Sequence, residues 1–265
     1  MTDTTKEVLD PVLTRREAVR AGADAGSRII SAIGLGAIPI ALAAMAREAG
    51  AQTTSDLNDA LQFLLLIEQL TVTLHLKALS VSGFVPTTAF PVFQAVHAHD
   101  ADHVTLLSNM ITNQGLTPAD APTFDFTAKG NFPGFAFASG QYPTFLIIAQ
   151  GLADLAVRAY KGQAARMTVN TNLMTQVLVI HTVEGRHAGE IRRVRGKNAW
   201  ITGNSRDDLP AFFQPVYDGE DLTLHDGFDA SSLAGSDGGS GAVTEAFDEP
   251  MTKAQSNAIV TKFLA

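Results

Sequence analysis

The stretch 181-HTVEGRHAGEIRR-193 places His181, Glu184 and His187 at three-residue intervals. On a helix, side chains three residues apart lie on the same face, one turn from each other. A glutamate and a histidine placed in this way can bind the same metal ion inside a helical bundle. Because such a pair is also common by chance, a metal site requires further ligands from other helices.

A second pair with this spacing occurs in 100-DADH-103, where Asp100 precedes His103 by three residues. A further carboxylate, Glu68, lies inside the apolar run 63-FLLLIEQLTVTLHL-76. Burying a lone carboxylate costs several kcal/mol unless a cation or a hydrogen bond compensates it. The sequence therefore predicts that Glu68 binds either a metal ion or a neighbouring hydroxyl such as that of Thr71.

The composition excludes several classes of site and partner. The chain has 265 residues, no cysteine and a formal net charge of -8. Without cysteine, any metal must be bound by oxygen and imidazole nitrogen, and thiolate sites are excluded. The negative charge argues against a general affinity for nucleic acid. A hydrophobic content of 46% with 17% charged residues is typical of a globular protein with a proper core.

Hydrophobic periodicity predicts four long helices, at about 56–79, 92–112, 144–167 and 169–195, with Asp56 as the N-cap of the first. Residues 116–143, between the second and third helices, are rich in Pro, Phe and Gly. Their Phe side chains require burial, so this segment is expected to cross the bundle and pack against it. Four long helices with one long connection predict an all-α four-helix bundle with a crossover between helices two and three.

The two ends of the chain differ from this helical part. Residues 201–265 are predicted to form an irregular tail that wraps over the bundle and ends in a short helix capped by Thr252.

Within residues 1–50, Arg15 and Arg16 precede an uncharged run, 29–46, which is similar to a twin-arginine export signal. This similarity predicts a periplasmic or secreted protein, and membrane contact only through this segment if it is retained. An N-terminal helix packed on the domain is the alternative, and the expected bundle domain is 51–200.

Several stretches together resemble the ferritin-like family that includes plant desiccation-related proteins and bacterial secreted homologues. They are 42-LAAMAREAGAQ-52, 57-LNDALQFLLLIEQLTVTLHLKAL-79, 100-DADHV-104, 157-VRAYKG-162, 183-VEGRHAGEIR-192 and 246-AFDEPMTKAQSNAIV-260. The resemblance implies a ferritin-like fold and a two-metal site for iron or manganese. The ligands that it implies are Glu68, Asp100, His103, Glu184 and His187.

The third helix departs from the family pattern. Ala153 stands where this helix usually carries an acid. The adjacent Asp154 lies about 100° further around the helix, and Gln150, one turn earlier, is an alternative neutral ligand. His75, in the first helix, replaces a residue that is often aromatic. With one carboxylate missing, the sequence leaves open one tightly bound ion, two weakly bound ions bridged by hydroxide or water, or none.

The sequence also predicts the roles of histidines and arginines around the proposed ligands. His97, His99 and His181 add imidazoles near the same helices, and surface or core packing is the expected role of each. The alternative for His181 is a position one layer from the site, as a hydrogen-bond partner of a ligand. The four arginines near the end of the fourth helix are expected to pair with the acidic tail; they are Arg186, Arg192, Arg193 and Arg195.

Two functions remain open at this point. The first is a modified dimetal-carboxylate protein that binds iron or manganese, or uses it in redox chemistry, in stress protection. The second is a metal-free helical bundle with a structural or desiccation-protective role in the cell envelope, in which the same residues form a buried polar network. No phosphate-binding Gly-rich loop and no nucleophile elbow occur, no catalytic residue can be assigned, and self-association is left open.

Overall fold

Four long helices form the core of the computed structural model, which describes residues 54–225, 227–234 and 238–265. Helix α1 spans Thr54–Ser80, α2 Phe90–Asn113, α3 Tyr142–Ala164 and α4 Thr171–Val194. Helix α1 packs mainly on α2, and α3 mainly on α4, while α1 also contacts α3 and α2 contacts α4. The predicted all-α bundle with a long connection between its second and third helices is confirmed. The export-signal prediction lies outside the described residues.

The starts of the helices follow from local sequence. Proline occupies the first turn of α2 and of α3, where its missing N–H is not needed. Helix α4 is capped by Asn170, whose side chain accepts a hydrogen bond from the backbone N–H of Leu173 at 3.2 Å. The prediction of Asp56 as the N-cap is wrong, because α1 begins at Thr54. Asp56 lies in the first turn of α1, where the helix dipole favours a negative charge.

Helix α3 is buried on nearly every side. Leu152, Leu155, Ala156 and Ala159 each expose 1% or less of their surface. A helix that is apolar all round is one covered on all faces, and α3 lies between the other helices and the C-terminal tail. Helix α1 is apolar and long enough to cross a membrane by length and composition. However, 61% of its most apolar 18-residue segment is buried inside this structure, as expected for the core helix of a bundle.

The connection between α2 and α3 packs as the sequence predicts. Phe126, Phe132 and Phe135 are 6–7% exposed. The backbone N–H of Asp125 donates to the carbonyl of Phe263 at 2.8 Å. The connection is therefore fixed against the end of the chain as well as against the bundle.

The tail is irregular, with short elements. After α4 come a 3₁₀ helix at Ala211–Val216 and a short antiparallel hairpin. The hairpin has two strands of two residues each, β1 Leu224–His225 and β2 Phe228–Asp229. Two short helices follow, α5 Ser231–Ala234 and α6 Gly239–Thr244. Helix α7, Lys253–Val260, begins at a capping box in which Thr252 and Gln255 bond each other's backbone, so the predicted cap is confirmed.

Arg158, buried in α3, holds the tail in place. Its guanidinium lies 2.6 Å from Glu220 and donates to the carbonyls of Val216 at 2.5 Å and Glu249 at 2.7 Å. Burial raises the pKa of Glu220 to about 7, against the opposing effect of Arg158. Removing one partner of a buried pair leaves an uncompensated charge, so this contact fixes the tail strongly.

At Gly162 the backbone of the tail packs closely on α3. A Cβ at this position of α3 would lie 1.9 Å from the carbonyl oxygen of Met251. We expect Gly162→Ala to lower the free energy of unfolding by about 1–3 kcal/mol because of this clash. The matched control is Gly185→Ala in α4, where a Cβ meets nothing within 4 Å and should stabilise by about 0.5–1 kcal/mol. Denaturant unfolding measures both, and equal effects would contradict the close packing.

Candidate metal centre

The five predicted ligands come together in the interior of the bundle. Helix α1 supplies Glu68, α2 supplies Asp100 and His103, and α4 supplies Glu184 and His187. All five are buried, with exposures of 1–7%. One ligand atom from each of the first four lies within 4.8 Å of the others. Nδ1 of His187 lies 3.3 Å from an oxygen of Asp100 and 3.3 Å from one of Glu184.

The imidazoles and carboxylates of this cluster are close together but poorly aligned for hydrogen bonding. Nδ1 of His103 lies 3.0 Å from Glu184 and 3.5 Å from Glu68. Nevertheless, Nδ1 of both histidines and one oxygen of each carboxylate lack a hydrogen-bond partner among the described residues. Buried polar atoms without partners are rare in proteins. Their convergence is the arrangement expected of ligands around a cation.

Tyr160 of α3 binds one of the predicted ligands. Its hydroxyl donates to Oε1 of Glu68 at 2.5 Å, whereas the Thr71 hydroxyl donates to backbone carbonyls at 3.1–3.3 Å. The expected hydroxyl neighbour of Glu68 therefore exists, but it is not Thr71. Tyr160 lies between Arg158 and Lys161, so no local pattern of the sequence marks it as a partner of Glu68.

His75 is a further site residue, which the sequence did not assign to the centre. It follows Glu68 by seven residues, two turns along the same face of α1, and its exposure is 3%. Its Nδ1 lies 3.0 Å from Oδ2 of Asp100, and its Nε2 has no partner among the described residues. With Asp100 and Ala153, His75 lines a small internal cavity of about 10 Å³. An imidazole thus borders the space where α3 carries no acid.

Helix α3 contributes no carboxylate or amide ligand. Asp154 binds Arg192 through two hydrogen bonds of 2.8–2.9 Å and accepts another from Tyr217 at 2.6 Å. Gln150 donates to Asp207 of the tail at 3.2 Å and accepts from Arg195. The expectation that Gln150 serves as a neutral ligand is therefore wrong, because its amide faces the tail.

The alternative role of His181, as a partner of a ligand, is not supported, and the arginine expectation holds for two of the four residues. The ring stacked on His187 is that of His99, with Nδ1 at 3.1 Å from Nε2 of His187. His181 faces the backbone of Val157 instead. Arg192 and Arg195 pair with the acidic tail, at Asp207 and Asp208. Arg193 pairs with Glu190 on its own helix, and the side chain of Arg186 lines a surface cleft.

Burial and mutual contact shift the ionisation of the cluster. Burial, followed by the nearby carboxylate of Glu184, raises the pKa of Glu68 to about 8. Burial alone would lower the pKa of His103, but Glu184 and Glu68 outweigh it and raise it to about 10. In the same way Asp100 and Glu184 raise the pKa of His187 to about 9. Burial opposes the ionisation of Asp100, but His187 and His75 hold its pKa well below the usual range. Protons therefore compensate this cluster when no cation does.

The donor set fits a divalent cation. Three carboxylates and up to three imidazoles, with no thiolate, suit iron or manganese. Two divalent cations bring four positive charges, one more than the carboxylates of Glu68, Asp100 and Glu184 neutralise. One ion is thus compensated by the protein alone, whereas two require a further anion such as hydroxide.

Comparison with known families agrees with this geometry. The model of the ferritin-like domain family matches residues 56–197, which is more than half of the chain. This range contains all five predicted ligands and all four bundle helices, except for the first two residues of α1. No curated protein sequence matches the chain significantly. The fold, the bundle interior and the family match together show that the chain belongs to the ferritin-like domain family.

Proposed function

We propose that this protein binds iron or manganese between α1, α2 and α4. The ligands are Glu68, Asp100, His103, Glu184 and His187. The observation that carries the proposal is the set of buried, unpaired oxygen and nitrogen atoms that lie together. When bound, the metal supplies electron-transfer chemistry with oxygen or peroxide, and the role that fits this chemistry is stress protection.

The surrounding residues orient the ligands. Tyr160 holds one oxygen of Glu68, and His75 holds one oxygen of Asp100. His99 contacts the outer nitrogen of His187, which leaves Nδ1 of His187 facing the cluster. Such partners of ligands commonly change metal affinity by about 10–100-fold when removed. Leu74 and Leu152, which line the same internal cavity as Asp100 and His187, are buried and keep bulk water away.

Charge balance favours one tightly bound ion and a weaker second one. A second ion would have to be held by His75 and Asp100 on the side of Ala153, where the small cavity lies and α3 provides no acid. The residues of this site also contain no group that we assign as a general acid or base. Metal binding is therefore the function proposed, and catalysis follows only if the metal turns over a substrate.

Metal analysis of protein purified without chelators tests the proposal. We expect about one iron or manganese per chain, and we expect Glu184→Gln to lose it because the variant removes a charged ligand. Glu190→Gln is the matched control, since Glu190 lies on the same helix but is exposed and pairs with Arg193. A native protein that neither contains nor takes up iron or manganese would leave the metal-free envelope role as the function.

The location and physiological role are further proposals. The twin-arginine-like N-terminus supports a periplasmic or secreted protein, and the resemblance to desiccation-related proteins supports a role under water stress. Fractionation of cells that produce the full chain, with Arg15→Lys and Arg16→Lys as the disabled form, tests the location. Accumulation of both forms in the cytoplasm would reject export.

A further inference from the structure

A cleft of about 370 Å³ lies between α2 and α4, on the outer side of the metal centre. Its walls are mostly aliphatic, with Val92, Ala95 and Val96 from α2 and Val183 from α4. The volume is at the small end of the range of about 300–1,000 Å³ found for ligand pockets. The cleft is therefore large enough for a small organic molecule.

The cleft and the metal centre share a wall. Val96 and His187 line the cleft, and the same two side chains line the internal cavity next to Asp100 and His75. His99, which stacks on His187, also lines the cleft. A molecule in the cleft is thus separated from the cavity by the thickness of single side chains.

The charge at the rim of the cleft selects the ligand. Arg186 lines the cleft from α4, is exposed and has no ion-pair partner among the described residues. The one acid at the rim, Glu190, is already bound by Arg193 at 2.7 Å. A guanidinium recognises a carboxylate through two parallel hydrogen bonds. A molecule that satisfies both the aliphatic walls and the free guanidinium has an apolar body and one carboxylate.

We propose that this cleft is a binding site for a small aliphatic monocarboxylate, held by Arg186 and placed beside the metal centre. The apolar body lies on Val92, Ala95 and Val183, and the carboxylate lies at the rim. Binding to the cleft does not require metal. The consequence for chemistry, that this molecule lies next to the ion, rests on the proposed metal function.

Binding of hexanoate to the metal-free full chain, followed by NMR titration, tests the site. We expect saturable binding that Arg186→Gln weakens by about 10-fold or more, since a hydrogen bond to a charged group is lost. Ala95→Phe, which fills the cleft, should abolish binding, and hexanol should bind at least about 10-fold more weakly than hexanoate. Lys77→Gln, which removes an exposed cation that does not line the cleft, should have no effect. No saturable binding, or binding indifferent to Arg186→Gln and Ala95→Phe, would overturn the proposal.

A separate measurement tests whether the bound molecule lies close to the metal. Bound manganese(II) should broaden the resonances of bound hexanoate, and the zinc-loaded protein is the diamagnetic control. If hexanoate binds but neither manganese(II) nor iron(II) does, the proposed metal function fails and the carboxylate site stands. If both bind and hexanoate is not broadened, the ligand lies elsewhere and the inference is wrong.

Discussion

The metal-free protein should lose stability as the pH rises from about 6 to 9, while the stabilisation by manganese(II) should grow over the same range. The cause is the proton balance of the buried cluster. In the folded, metal-free protein the pKa values of His103, His187 and Glu68 lie above those of the unfolded chain. A cation competes with these same protons, because its ligands have to be deprotonated.

The sign follows from the direction of the shifts. A group with a raised folded pKa contributes stability below its unfolded pKa and loses it as the pH rises through the folded value. For His103 this interval runs from 6.5 to about 10, for His187 from 6.5 to about 9, and for Glu68 from 4.5 to about 8. Asp100 has a lowered pKa and changes stability only in acid. All three groups with raised pKa values therefore lower the stability of the metal-free protein as the pH rises.

Thermal unfolding of chelator-treated and manganese-loaded protein, at several pH values, measures this effect. A difference of one pKa unit at one group is worth about 1.4 kcal/mol, or roughly 3–6 °C in melting temperature for a domain of this size. We expect at least this loss in the metal-free protein between about pH 6 and pH 9. His103→Gln should flatten the slope. A metal-free protein whose stability rises over this interval would show that the cluster does not hold the protons assigned to it.

Replacement of Arg192 should produce the largest loss of stability among single side-chain changes in α4. Arg192 and Asp154 are each 2% exposed, and two hydrogen bonds join them. Arg192→Met leaves Asp154 buried without its cation, which costs about 3–5 kcal/mol when a buried pair loses one partner. In a protein of this size the melting temperature should fall by roughly 6–20 °C.

Two further variants separate the charge effect from a packing effect. Arg193→Met removes an arginine from the next position of the helix, but Arg193 is exposed and should matter little. Arg192→Met combined with Asp154→Asn removes the uncompensated charge and should regain part of the loss. If Arg192→Met and Arg193→Met were equally mild, the buried ion pair would contribute nothing to the fold. Metal content measured in parallel shows whether the pair also keeps Glu184 and His187, earlier in α4, in position.

Several features of this protein follow from local sequence alone. The 3.6-residue periodicity defines four helices, because an amphipathic helix repeats its buried face regardless of what covers it. Three-residue spacing in 100-DADH-103 and 181-HTVEGRH-187 places acid and imidazole on one face for the same reason. Glu68 could be identified because a carboxylate in an apolar run requires a partner wherever the run is buried. These inferences depend only on residues within a few turns of each other.

Contacts between distant residues were decided by the tertiary structure. Tyr160 lies 92 residues from Glu68 in the chain, and His75 lies 25 residues from Asp100. Whether these side chains meet depends on the relative rotation and axial register of packed helices, which periodicity leaves undetermined. The side chains of Gln150 and Asp154 form hydrogen bonds with residues that are distant in the chain, including residues of the tail. The irregular tail has no hydrophobic periodicity from which these contacts could be predicted. The sequence thus identifies the candidate ligands, and the packing of the helices and tail selects the residues that contact them.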